Sequence, residues 1–294
     1  MKKRILTTVF SCILSLFLAI VLLAGSLCVY ARRTVCEPEI LLQISQECGY
    51  SQELHDEIKY KWENLLSITG VMEPESIIGV LTPESVRENT LKYLHSAYGG
   101  TVELDTTDLK SQLDAKIRDY AYSNNIHATP KEELEQNITD LVNACIQDYR
   151  GAIAIPLLPR LLGAVSGITG YLEIGLYAAV ASSLVLLVFL FFLQRKRWDT
   201  FYYAAISTAT NAVLLLGLTG LADHYDLIAR LPFEASALKT LINAYLQHLL
   251  DRLNTMGLTF LWVAVALALV FALTWACAAL MQSRKAQQQN NSIG

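Results

Sequence analysis

The sequence predicts an all-α polytopic membrane protein with four transmembrane helices and an extracytoplasmic helical-bundle domain. Three observations predict this class: four long apolar stretches, three cation clusters that fall on one side of them, and helical periodicity in the longest connecting segment. Of the 294 residues, 53% are hydrophobic and 17% are charged. A soluble domain has about a quarter charged residues, so charge is depleted in this chain.

The depletion is concentrated in four stretches that are long enough to cross a bilayer. They comprise residues 5–30, 171–194, 201–222 and 258–282. A hydrocarbon core about 30 Å thick needs about 20 apolar residues as a helix. Glu173 is the only charged residue in any of the four. We therefore predict four spans.

The first span also has features of a signal peptide. The chain begins with MKKR, and Val29-Tyr30-Ala31 resembles a small-residue cleavage site. Signal-peptide apolar regions have about 7 to 15 residues, and this one is much longer. We predict an uncleaved signal anchor, with cleavage as the open alternative.

Cations orient the spans, because Lys and Arg in short loops stay in the cytoplasm. The clusters 2–4, 195–197 and 284–285 fall on one side of a four-span chain, whereas Arg32 and Arg33 fall on the other. We expect a plasma-membrane protein with both termini cytoplasmic. The cytoplasmic parts are then short: residues 1–4, the turn 195–200 and the tail 283–294.

The region between spans one and two is the predicted extracytoplasmic domain, residues 31–155, followed by a juxtamembrane elbow at 156–170 that contains Pro156 and Pro159. Residues 31–170 hold 21 acidic and 12 basic side chains, a net charge of −9. Such a surface repels nucleic acid, so no nucleic-acid partner is expected.

Helix signals recur through this domain. Ser51, Thr82-Pro83, Thr106-Thr107 and Thr129-Pro130 each precede a run with apolar residues three or four positions apart, and Gly99-Gly100 is a stop signal. The apolar faces are Leu54, Ile58, Trp62 and Leu65; Leu109, Leu113, Ile117 and Tyr120; and Leu134, Ile138, Leu141, Cys145 and Tyr149. Several amphipathic helices predict a small bundle with one core.

One run in this domain carries a resemblance. The sequence LTPESVRENTLKYLHSAYGGTVELDTTDLKSQLDAKI, residues 81–117, resembles a segment of uncharacterised bacterial four-span membrane proteins. Those proteins place a helical ectodomain between spans one and two. The resemblance implies the same topology and a bacterial envelope location, and it implies no activity or catalytic residue.

The second outside segment, residues 223–257, is too short for a core of its own. It contains an amphipathic helix with a possible cap at Ser236 and an apolar face of Leu238, Leu241, Tyr245 and Leu249. We expect this helix to pack on the larger domain or to lie along the membrane surface.

The same segment holds the candidate metal ligands. His224 and Asp226, and His248 and Asp251, are close in sequence, and His with a carboxylate at i, i+3 on a helix can share a metal. No HExxH motif accompanies them, and surface helices carry such pairs by chance. No cofactor is expected. Cys36, Cys48 and Cys145 lie outside without a CxxC motif, and whether they form disulfides stays open.

Small residues predict how the spans pack. Ala264, Ala268, Ala272 and Ala276 recur every four residues in span four, as Ala205 and Ala209 do in span three. Such residues let helix backbones approach closely. We expect this ridge to pack against span three or a second copy. Asn211 is expected to hydrogen-bond to another helix, with a polar path as the alternative.

The absence of a catalytic motif directs the functional prediction. The chain has no GxSxG and no P-loop. We predict a non-enzymatic envelope protein whose outer domain serves binding, sensing or assembly. Its partners are the lipid bilayer and, through the spans, a protein partner or a second copy. The main alternative is a component of an oligomeric transporter or channel; a metal-dependent enzyme is a third reading.

Overall fold

The regular structure of the chain is helical. The computed structural model describes residues 2–71, 73–98, 104–123, 130–194, 196, 198–226, 228 and 236–291, and these residues contain no β-strand. Their helices are α1 (Lys2–Tyr30), α2 (Pro38–Glu47), α3 (Tyr50–Ile68), α4 (Pro74–Ile78), α5 (Pro83–Tyr98), α6 (Thr107–Ser123), α7 (Lys131–Ile153), α8 (Leu158–Leu193), α9 (Asp199–His224) and α10 (Ser236–Asn291). A π-helix, Ala31–Val35, continues α1.

Four of these helices are long and apolar enough to cross a membrane: α1, α8, α9 and α10. They contain the four predicted stretches, so the predicted number of candidate spans is confirmed. Two of them are much longer than a bilayer requires, with 36 residues in α8 and 56 in α10.

The expected elbow at 156–170 is helical over most of its length. The break in the chain is short, and α8 begins at Leu158. Pro159 therefore occupies the first turn of α8, where its missing N–H leaves no hydrogen bond unmade. The prolines mark the start of a helix rather than an elbow.

Residues 223–257 also differ from expectation. The predicted amphipathic helix and the fourth span belong to one helix, α10, which runs through Gly257 without interruption. A Cβ atom at Gly257 would lie 3.0 Å from the Leu216 side chain of α9. Glycine at this position therefore serves a close helix contact. It does not end the helix.

Two compact units make up the chain. The first, here called the span unit, comprises Met1–Thr34, Thr169–Arg230 and Gln247–Gly294. The second, called the helical domain, comprises Val35–Ile168 and Leu231–Leu246. Its limits differ from the predicted 31–155, because Leu162 of α8 and Ala237 and Leu241 of α10 are part of its core.

The helical domain has one hydrophobic core built on α3. Ile58, Trp62 and Leu66 are fully buried there, and Leu113 of α6 is equally buried. The Trp62 indole N–H donates to the backbone carbonyl of Cys145 in α7 at 3.0 Å. A buried indole needs such a partner, so this bond lets the largest core side chain sit between α3 and α7. The predicted single-core bundle has the buried faces that its periodicity requires.

The helix starts agree closely with the sequence signals. Pro83 opens α5, and the Thr82 hydroxyl accepts a hydrogen bond from the Ser85 backbone N–H at 3.1 Å. Helix α6 begins at Thr107. Helix α3 begins one residue before the predicted cap Ser51, after Gly49, whose φ of 72° favours glycine. The predicted signals at Gly99-Gly100 and Thr129, like Arg195 and Arg197 of the turn, lie outside the described residues.

Candidate functional site

The polar residues of the spans form a seam between α1 and α9. The Ser15 and Ser207 hydroxyl oxygens lie 2.9 Å apart, and Ser207 Oγ is also 2.8 Å from the Ser15 carbonyl oxygen. The Asn211 side-chain amide donates to the Ala19 carbonyl at 3.0 Å. Asn211 thus makes an interhelical hydrogen bond, to the first span.

Helices α1 and α8 approach closely through small residues. A Cβ atom on Gly25 would lie 2.9 Å from the Ala179 Cβ, and one on Gly175 would lie 3.2 Å from the Cys28 Sγ. Carbon atoms in ordinary contact are about 3.5 to 4.0 Å apart. Gly25 and Gly175 therefore set the distance between these helices. Sequence reasoning missed both, although Gly175, Ala179 and Ser183 are small residues four positions apart.

The predicted alanine ridge divides into buried and exposed members. Ala264 is buried, whereas Ala268, Ala272 and Ala276 are exposed. In span three, Ala205 is buried and Ala209 is half-buried. An α-helix turns by about 100° per residue, so each step of four residues rotates the ridge by about 40° away from one neighbour. Within one chain the ridge does not form a continuous contact; contact with a second copy stays a prediction.

Helix α10 contacts α9 at residues seven apart instead. Gly257 faces Leu216, and the ring of Phe271 lies 5.4 Å from that of Tyr202. Buried Ala264 lies midway between Gly257 and Phe271 in the sequence. Seven residues rotate a helix by only about 20° from a whole number of turns, which keeps these positions on one face.

An ion pair accounts for two charges that the topology left unexplained. An Arg32 guanidinium nitrogen lies 2.8 Å from a Glu173 carboxylate oxygen, with both side chains about half exposed. Arg32 is one of the two cations, with Arg33, that disagree with the positive-inside pattern, and Glu173 is the only charge in the four predicted apolar stretches. Each neutralises the other. No polar path through the spans is needed to explain Glu173.

The four candidate metal ligands do not converge. His224 ends α9, Asp226 follows it, and His248 and Asp251 lie within α10. The Arg252 guanidinium donates to His248 Nε2 at 3.4 Å. Among the described residues, no three of His, Cys, Asp and Glu lie close enough to hold a metal.

The six cysteines are free thiols. Each of them lies in a described helix or next to one. Cys145 is fully buried, and burial raises the pKa of its thiol to about 12. Such a thiol is not a nucleophile at neutral pH. Cys145 is a core residue, as its place on an apolar stripe suggests.

A cleft of about 520 Å³ lies on the helical domain. Its walls come from the C-terminal ends of α3 and α6 and from the first half of α7. The lining residues are Leu65, Thr69, Gly70, Val71, Ile117, Tyr120, Ala121, Leu134, Asn137, Ile138, Asp140, Leu141 and Ala144. Most of these are apolar. The cleft is thus an extension of the domain core that reaches the surface.

The polar groups of the cleft are few. The Thr69 hydroxyl lies within hydrogen-bond distance of the Leu65 and Leu66 carbonyls in the last turn of α3. Asn137 and Asp140 are exposed. One Asp140 carboxylate oxygen accepts from the Gln136 amide at 3.0 Å, and the carboxylate keeps its negative charge available at the rim.

Sequence reasoning did not predict the cleft, because its walls come from helices that are far apart in the chain. The available signal was that Leu65, Leu134 and Leu141 lie at the edges of the predicted apolar faces. Comparison with known proteins gives no function to transfer: no family model, no curated protein and no solved structure matches the chain.

Proposed function

We propose that this chain is a non-enzymatic integral membrane protein of the bacterial envelope, and that its helical domain lies outside the cytoplasm and binds a ligand or partner in the cleft. The observation that carries the proposal is the apolar cleft of about 520 Å³ on a domain with its own core. Ligand pockets typically have about 300 to 1,000 Å³ and mostly apolar walls.

The proposed orientation rests on the cations. The clusters 2–4, 195–197 and 284–285 fall on the same side of four candidate spans, which favours cytoplasmic termini. The pairing of Arg32 with Glu173 weakens the one contrary signal, since a paired cation is easier to place on the outer side.

A sensing role is supported by the helices that the helical domain shares with the candidate spans. Ala237 and Leu241 in α10 belong to the domain core, and the same helix continues without a break to Asn291. Helix α8 similarly contributes Leu162 to the core and continues to Leu193. Ligand binding in the helical domain can therefore act on the candidate spans through the unbroken backbones of α8 and α10.

The transporter alternative has less support. Its polar candidates were Asn211 and Glu173, and each has a partner other than a solute. Asn211 donates to Ala19 of α1, and Glu173 pairs with Arg32 of the π-helix that continues α1. We therefore do not propose a transported solute.

Photo-crosslinking in native host cells tests the proposal. A benzophenone amino acid at Asn137, an exposed cleft residue, should give a product of increased mass. Ala144→Trp should abolish that product, because the indole fills the cleft. Asn143→Trp, on the adjacent exposed position outside the lining, is the matched control and should leave it intact. A product that persists in Ala144→Trp, or none at all, would contradict a binding role for the cleft.

A further inference from the structure

We infer that the natural occupant of the cleft is a small organic cation with an apolar body. This inference rests on the proposed binding role of the helical domain and names the chemistry that the site accepts. Size is the first argument. At about 520 Å³, the cleft is in the range of pockets for small molecules.

The walls require an apolar body in the ligand. Leu65, Ile117, Leu134, Ile138 and Leu141 all line the cleft, and transfer of apolar surface from water onto such walls is the main favourable term in binding. A strongly hydrated ligand with many polar groups would lose its water here without gaining partners.

The charge of the site favours a cation. Among the described residues of the lining, Asp140 is the only charged side chain, and none is Lys, Arg or His. The surrounding region, residues 31–170, has a net charge of −9. An anionic ligand would meet repulsion, with no compensating cation among the described lining residues, whereas a cation would find one carboxylate at the rim.

Two helix ends add to this preference. Helix α3 ends at Ile68 and α6 at Ser123, and residues from the last turns of both line the cleft. A helix C-terminus carries a partial negative charge from its carbonyl groups. Tyr120 also lines the cleft, and aromatic rings attract cations within about 6 Å. A cationic ligand is therefore favoured by all of these features: Asp140, the two helix ends and Tyr120.

Three probes with one apolar body test the inference: 4-phenylbutylamine, 4-phenylbutan-1-ol and 4-phenylbutyrate, which at pH 7 are a cation, a neutral molecule and an anion. Binding to the full chain in detergent is measured by ligand-observed NMR. Specific binding is defined as the NMR binding signal that is lost in the Ala144→Trp variant and kept in the Asn143→Trp variant. We expect the cation to bind most tightly and the anion most weakly.

Asp140→Asn keeps the shape of the rim and removes its charge, so it remains informative even if Ala144→Trp disturbs folding. It should weaken binding of the amine by about two- to fivefold, the effect of an exposed ion pair, and leave the alcohol unchanged. Equal binding of all three probes, or an Asp140→Asn variant with unchanged affinity for the amine, would overturn the cation preference while leaving the cleft as a binding site. No specific signal from any probe, combined with a protein adduct at Asn137 in cells, would show that the cleft takes a protein partner. That result would overturn this inference and leave the proposed function standing.

Discussion

The contact between Gly25 of α1 and Ala179 of α8 allows a sharp test of how the spans pack. Gly25→Ala would place its methyl carbon 2.9 Å from the Ala179 Cβ, and no other atom of the described residues outside its own helix lies within 4 Å of it. Both carbons are attached directly to helix backbones, so neither can rotate away. The two helices must separate locally by roughly 0.6 to 1 Å to restore ordinary contact.

The expected cost follows from that separation. Overpacking of this kind typically destabilises by about 1 to 3 kcal/mol, while Gly→Ala in a helix gains about 0.5 to 1 kcal/mol of intrinsic propensity. Gly217→Ala in α9 is the matched control, because a Cβ there meets nothing within 4 Å. We expect Gly25→Ala to be less stable than Gly217→Ala by about 1 to 3 kcal/mol.

Ala179→Gly supplies the decisive comparison, because it removes the only atom that the new methyl group meets. In an Ala179→Gly background, Gly25→Ala should no longer destabilise and should gain the small propensity term. The assay is unfolding of the full chain in detergent by added SDS, followed by circular dichroism. If Gly25→Ala is as stable as Gly217→Ala, or equally harmful in both backgrounds, then α1 and α8 do not pack through this contact.

Three further predictions concern topology, the domain core and a buried thiol. A reporter fused after Lys196 or at the C-terminus should behave as cytoplasmic and one inserted near Asn124 as exported; an exported C-terminus would refute the proposed orientation. Leu113→Asp should abolish cooperative unfolding of the full chain, because it buries an unpaired charge at a fully buried position, whereas Ser111→Asp, which is exposed, should not. Cys145, with its thiol pKa raised from 9.0 to about 12 by burial, should resist alkylation at pH 8 until the chain unfolds. The thiol of the unfolded chain ionises at a lower pH than the buried thiol. Cys145 therefore contributes stability that is present below pH 9 and is lost as the pH rises toward 12. Rapid alkylation of the folded chain at pH 8 would contradict the buried position.

The helical class, the number of candidate spans and most helix starts could be predicted from the amino-acid sequence. These properties are local: a stretch such as residues 201–222 is apolar over a sufficient length, and Thr82-Pro83 supplies a cap and a fixed φ within a few residues. Periodicity also identified which face of α3 and α6 is buried, as Trp62 and Leu113 show, because burial of one face is encoded in the spacing of apolar residues.

The helix faces that meet one another could not be predicted in this way. Asn211 was expected to bond another helix, yet nothing in the spacing of its neighbours indicates that the acceptor is Ala19 of α1. The alanine ridge of α10 illustrates the same limit: a repeat of four is visible in the sequence, but its rotation around the helix leaves Ala268 exposed. The cleft has no sequence signature, since its walls come from α3, α6 and α7, which are separate in the sequence. Amino-acid spacing encodes the direction that a side chain takes from its own helix, whereas the partner that it meets depends on the whole set of helices that pack around it.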